Sequence, residues 1–165
     1  MTVDELPGVL AIFRDRAAAA AGPTAKAMAD TYKSHLTKVT LQRYHSAPGQ
    51  FGTTSPEGAP IAFRTGRLAG SVTSTAGRSG PGFGSAYVRP NTIYAVTQEW
   101  GDVHRPTRFK YMHWKNTGGP QPEWWKKQVK IPERSYMRPA VRETAADGSL
   151  TRSAALMFRS LVGPY

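Results

Sequence analysis

The chain contains no cysteine. That excludes disulfides, thiolate zinc sites and cysteine nucleophiles, and it fits synthesis in a reducing cytosol. Long apolar runs are missing too: no stretch of about 18 apolar residues is present, so nothing reads as a membrane-spanning helix. Residues 1–5 are acidic and lack the basic-then-apolar layout of a signal peptide. A soluble, non-secreted chain with no membrane partner is therefore expected. Acidic residues are scarce overall, 11 Asp and Glu against 22 Lys and Arg, for a net charge of +11. Such an excess attracts nucleic acid or acidic protein surfaces. The basic residues are spread along the chain, however, and are densest over 105–115 and 126–130. Direct DNA contact, a protein-facing surface and a solvated face all remain open.

What is there suffices for one domain. A chain of 165 residues buries roughly two-thirds of its unfolded surface. With 39% hydrophobic residues, 16 Gly and 13 Pro, a modest core and long loops are expected. The expected organisation is a helical segment over 1–45, a loop over 46–60 and an α+β core over 61–165.

Thr2 and Glu5 form a capping box, followed by Leu6, Val9, Leu10 and Phe13 at helical spacing. The alanines at 17–21 favour helix, and Gly22-Pro23 is expected to break or kink it. Thr24 then caps a second segment with Met28, Tyr32, Leu36 and Val39 on one face. The small alanine face would let another helix approach closely, and an ordinary helix surface is the equal alternative. Residues 46–60 are Ser/Pro/Gly/Thr-rich, a loop of ~15 residues that partners could order.

A short helix near Thr65, strands over 71–76 and 85–90 with a turn over 78–84, and a helix over 92–100 closed by Gly101 come next. Residues 109–114 are expected to pair with 124–131 as a hairpin. Ser135 should cap a last helix anchored by Met137, Val141, Leu150, Leu156, Phe158 and Leu161, with Asp147-Gly148 as an interruption.

Candidate chemistry is thin. His35, His45, His104 and His113 lack metal-ligand spacing, and packed or exposed histidines are the simpler account. Ser71 or Ser85 with a histidine and Asp102 could nominally form a triad, but no Gly-x-Ser-x-Gly elbow is present. The glycines over 77–84 lack the Gly-Lys-Ser/Thr ending of a phosphate loop. Glu99 and Glu133 are too far apart in sequence to read as a catalytic pair, and Glu99 is expected to hold an arginine. No catalytic residue, cofactor or metal is therefore assigned. Residues 111–115 and 124–127 interleave aromatic and basic side chains, which suits stacking on single-stranded nucleic acid, a protein-interface hot spot, or plain sheet packing. Trp124 and Trp125 cannot share one face of a strand, so one of them is expected to be exposed or at an interface.

Three signatures occur in fixed order. They are Thr65-Gly66-Arg67-Leu68-Ala69-Gly70-Ser71-Val72, Tyr94-Ala95-Val96-Thr97-Gln98-Glu99-Trp100-Gly101, and Ile131-Pro132-Glu133-Arg134-Ser135-Tyr136-Met137-Arg138-Pro139-Ala140. Together they resemble the tail-completion and head–tail joining (neck) proteins of long-tailed bacteriophages, the group that includes the lambda minor tail protein Z and the Mu-type virion morphogenesis proteins. The third departs from the family pattern, with Ser135 and Tyr136 where Pro and Phe are usual.

The resemblance covers about residues 60–160. It implies an α+β domain with a twisted antiparallel sheet, a long N-terminal helix, a short helix across the sheet and a C-terminal helix. It also implies a structural virion protein, assembled in the host cytoplasm, that forms a hexameric ring in the neck. Neighbouring neck and tail-tube proteins would be its partners, with non-specific contact to DNA in the channel left open. A tail terminator that caps the tube and a sequence-independent DNA-binding protein are the alternatives. Tyr94, Trp100, Trp124 and Trp125 are the expected anchors, and Arg67, Glu99, Arg134 and Arg138 the expected inter-subunit or structural ion-pair residues.

Overall fold

The computed structural model describes residues 6–42, 66–114 and 124–163. The capping box, the 46–60 loop and Thr65, near which the short helix is expected to begin, lie outside them. The architecture is α+β, with a long N-terminal helix, antiparallel strand pairs and C-terminal helices.

Helix α1 spans Leu6–His35 without a break, and Pro23 sits inside it. This corrects the expected interruption at Gly22-Pro23. Proline removes one helical hydrogen bond and crowds the preceding turn, yet packing on both sides holds the helix together. A hairpin of β1 (Val72–Gly80) and β2 (Phe83–Pro90) lies on one side, and α5 (Ser149–Val162) on the other. The small residues mark the crossing. A Cβ on Gly84 would run into the Ala21 carbonyl, and one on Gly22 would stand 2.9 Å from the Ser79 side chain. The alanine run thus admits a hairpin backbone as well as a helix.

After His35 the helix widens into a π turn, Leu36–Thr40, closed by Leu41 N–H donating to Leu36 O at 2.9 Å. The wider turn rotates the buried face. Tyr32 and Leu36 point inward as expected, but Thr40 and Leu41 follow them, and Val39 is exposed.

The β1–β2 register runs Val72↔Pro90 to Gly80↔Phe83, with an irregularity between Ala76 and Ser79. The strands therefore extend through most of the expected 78–84 turn, which shrinks to Pro81-Gly82 with Gly82 at φ 78. Helix α2 (Arg67–Gly70) precedes β1, and α3 (Ala95–Trp100) follows β2.

The remaining strands form two ladders along one interrupted hairpin. The base pairs β3 (Asp102–His104) with β6 (Val129–Ile131), and the far end pairs β4 (Met112–Trp114) with β5 (Trp124–Lys126). The expected partner strand 124–131 is thus shared between two opposing strands. Among the described residues the antiparallel structure is three two-stranded pairs rather than one continuous sheet.

Two helices close the chain: α4 (Met137–Ala146) and α5, separated at Asp147-Gly148 with Gly148 at φ 69. Helix α5 runs back along α1. Arg16 reaches the Val162 carbonyl near one end, and His35 meets Glu143 of α4 at 2.9 Å near the other. Several expected anchors do not anchor. Val141, Leu156, Phe158 and Leu161 are exposed, while Ala140, Thr144 and Val162 are buried. Small side chains let α4 come close to α1, so they take the interior places. The core gathers Tyr32, Leu36 and Leu41 from the α1 end, Leu68 and Val72 from the first signature, Ala95 from the second, and Tyr136 and Ala140 from the third.

Candidate functional site

Within α3, Ala95 and Glu99 are four residues apart and share the inward face, whereas Val96 and Trp100 point out. Only 4% of Glu99 is exposed. A buried carboxylate is costly unless its lone pairs are filled, and the segment before α4 fills them. Arg134 N–H donates to Gln98 O at 2.8 Å, which lays that segment against α3. The Ser135 hydroxyl donates to Glu99 Oε1 at 2.7 Å. The backbone N–H groups of Tyr136 and Met137 donate to Oε2 at 2.8 and 2.9 Å. Arg138 adds its backbone N–H at 3.4 Å and its Nε at 3.2 Å, both to Oε1.

These amides belong to the start of α4, where helical N–H groups lack intrahelical partners and the dipole favours an anion. Glu99 is therefore the cap of α4, delivered from another element. This corrects the expected role of Ser135. Tyr136 holds the N-cap position with no side-chain cap of its own, and the Ser135 hydroxyl is directed to Glu99. A carboxylate brings two oxygens and full charge, so it satisfies several orphan donors where a serine satisfies one.

Arg138 locks the joint from outside. Its guanidinium pairs with both Glu99 and Glu133, donates from Nη2 to the Glu99 carbonyl at 3.3 Å, and lies 4.3 Å from the centre of the Trp100 ring. The two carboxylates that were distant in sequence thus share one arginine. Gly101, at φ 71, lets the chain turn away: a Cβ there would stand 2.9 Å from both Glu133 N and Ile131 O.

Burial pushes the Glu99 carboxyl up, but the Met137 and Tyr136 amides, the Ser135 hydroxyl and Arg138 outweigh it and hold it below the usual carboxylate range. The phenols of Tyr32 and Tyr136 are pushed up by burial and then by the Glu99 charge. Tyr32 donates to Met137 O at 3.0 Å. A carboxylate whose lone pairs are taken and whose proton affinity is reduced is poorly suited to general-base work. Its chemistry is that of an anchor.

The expected ion-pair residues separate into two groups. Glu99 and Arg138 meet each other within the chain. Arg134 adjoins them through its backbone, while Arg67 lies exposed at the start of α2. Tyr94 occupies the N-cap position of α3 and is exposed; Trp100 is 61% exposed and stacks on Arg138. Trp124 and Trp125 pair in register with Trp114 and His113, and their side chains lie outside the described part. Sequence reasoning missed Tyr136 and Tyr32 as the walls around Glu99. The available signal was a glutamate four residues after an inward alanine in a short helix. Among the described residues no three His, Asp or Glu side chains are grouped to hold a metal, and no helix is long and apolar enough to cross a membrane.

Comparison with family models, curated proteins and solved structures finds no match.

Proposed function

We propose that this protein is a structural virion component of a long-tailed phage that forms a ring in the neck, completing the tail and joining it to the head. One observation carries the reading: the signatures on which the resemblance rests are spent on the core and its bracing. Leu68 and Val72, Ala95, and Tyr136 and Ala140 come from three separate stretches and share one apolar cluster, and Glu99 of the second bonds the helix start of the third. Residues used this way specify a shape, which is what an assembly subunit must supply.

A second feature supports self-association. The outer face of α3 and the turn before it present Ile93, Val96 and Trp100, exposed at 100%, 69% and 61%. Near its N-terminus α1 carries Val9, Leu10 and Ile12, exposed as well. Apolar groupings of this kind on a soluble chain mark contact surfaces.

Light scattering on the purified chain, with negative-stain microscopy, tests the proposal. A ring that binds the open end of tail tubes is expected. A stable monomer that ignores both tails and heads would sink it. Position within an assembled particle separates tail completion from tail termination.

A further inference from the structure

The interrupted hairpin has unequal legs. Between the β3–β6 and β4–β5 ladders, one leg passes through residues 105–111 and the other through residues 127–128 alone. The longer leg must bulge away from the paired backbone. Its sequence is Arg105-Pro106-Thr107-Arg108-Phe109-Lys110-Tyr111, and cations alternate with aromatics over 108–111. Phe109 is 78% exposed, Tyr111 is exposed beside it, and the Lys110 ammonium lies 5.8 Å from the Tyr111 ring centre. On the shorter leg, Lys126 ends β5 opposite Met112, Lys127 follows in the gap, and Lys130 stands opposite Val103. The two legs supply six cations, Arg105, Arg108, Lys110, Lys126, Lys127 and Lys130, and residues 103–130 hold one acidic residue, Glu123.

We propose that this bulge and the lysines facing it form a binding site for single-stranded nucleic acid. Charge complementarity selects a polyanion. The kind of cation narrows it: four of the six are lysines, which protein interfaces disfavour and phosphate contacts use freely. The exposed ring narrows it again. Unpaired bases stack on such a ring between cations that track the backbone, whereas a duplex offers no free base face. The proposal is independent of the neck reading, because it concerns one lobe of a single subunit.

Fluorescence anisotropy of the full chain with a labelled oligo-dT strand and with a duplex of equal length tests it, over a range of salt. The single strand should bind more tightly, with affinity falling steeply as salt rises. Replacing Arg105, Arg108 and Lys127 together by Gln should weaken strand binding by about tenfold or more and reduce the salt slope by roughly 2. Phe109→Ala should weaken the single strand by about fivefold or more and leave the duplex unchanged. A charge-matched control, with Arg142, Arg152 and Arg159 of α4 and α5 replaced by Gln, should stay within about twofold of the parent, since stacking and local contacts are untouched. On the unaltered chain, photocrosslinking of a bromouridine-substituted strand should map within 105–111. Duplex binding as tight as strand binding, an equal loss in the control, crosslinks elsewhere, or binding only to acidic protein would each overturn the proposal.

Discussion

The Glu99 carboxylate accepts the backbone N–H of Tyr136 at 2.8 Å across a sequence separation of 37 residues. It thereby makes the start of α4 depend on a side chain from α3. With Met137, Ser135 and Arg138 on the same two oxygens, this is the most connected polar group described in the chain's interior.

Glu99→Gln should therefore be costly although it is nearly isosteric. The amide NH2 would face backbone donors, leaving at least one buried group unsatisfied. The expected loss is about 2–4 kcal/mol, read as a fall of roughly 5–15 °C in Tm for a domain of this size. Differential scanning calorimetry checks it, and an unchanged Tm would refute the capping role.

The same residue sets a pH dependence. Its folded pKa lies below the unfolded value, so its contribution is complete above about pH 4.3, the unfolded glutamate value, and is lost as pH falls through the folded value. Asp30 and Asp147 are also held low, the first by Lys26 above all and the second by Ser149, and they add to the acid limb. Urea unfolding between pH 3 and 7 should show the parent losing its advantage over Glu99→Gln below about pH 4. A constant gap between them would contradict the assignment.

Gly84→Ala should separate the hairpin from α1, because the new Cβ meets the Ala21 backbone rather than a yielding side chain. A loss of about 2–3 kcal/mol or more is expected from overpacking against a rigid helix. Gly70, with open space where its Cβ would go, provides the comparison: Gly70→Ala should be nearly neutral. Chemical denaturation of both variants decides it.

Thr40 is buried in the π turn, and its hydroxyl has no hydrogen-bond partner among the described residues. Thr40→Val keeps the shape and removes an unsatisfied group. It should stabilise the protein by about 1 kcal/mol, a rise of roughly 2–4 °C in Tm.

Val96→Glu places a charge on the outer face of α3 without touching the Glu99 joint. If that face meets a neighbouring subunit in the proposed ring, light scattering should show this assembly dissociating while the monomer's Tm stays within about 2 °C, the ordinary range for surface substitutions. An intact ring would move the contact to another surface.

Local chemistry settled much in advance. Alanine and apolar spacing predict α1, the glycine at 101 predicts the end of α3, and Asp147-Gly148 predicts the break between the last two helices, because each depends on neighbouring residues only. What local chemistry could not decide was how neighbours in space compete. Pro23 sits within a continuous helix because the hairpin and α5 hold both sides of α1. Thr40 displaces Val39 from the interior because a π turn changes the face presented to the core. Ser135 yields the cap to Glu99 because folding brings a stronger acceptor to the same amides. The sequence alone determined the α+β make-up, the ends of α3 and α4, and that the chain is basic and free of cysteine. Only the tertiary structure decided that the three signatures share one core and that the carboxylate of the second caps the helix opened by the third, since that meeting depends on long-range packing, which sequence spacing does not encode.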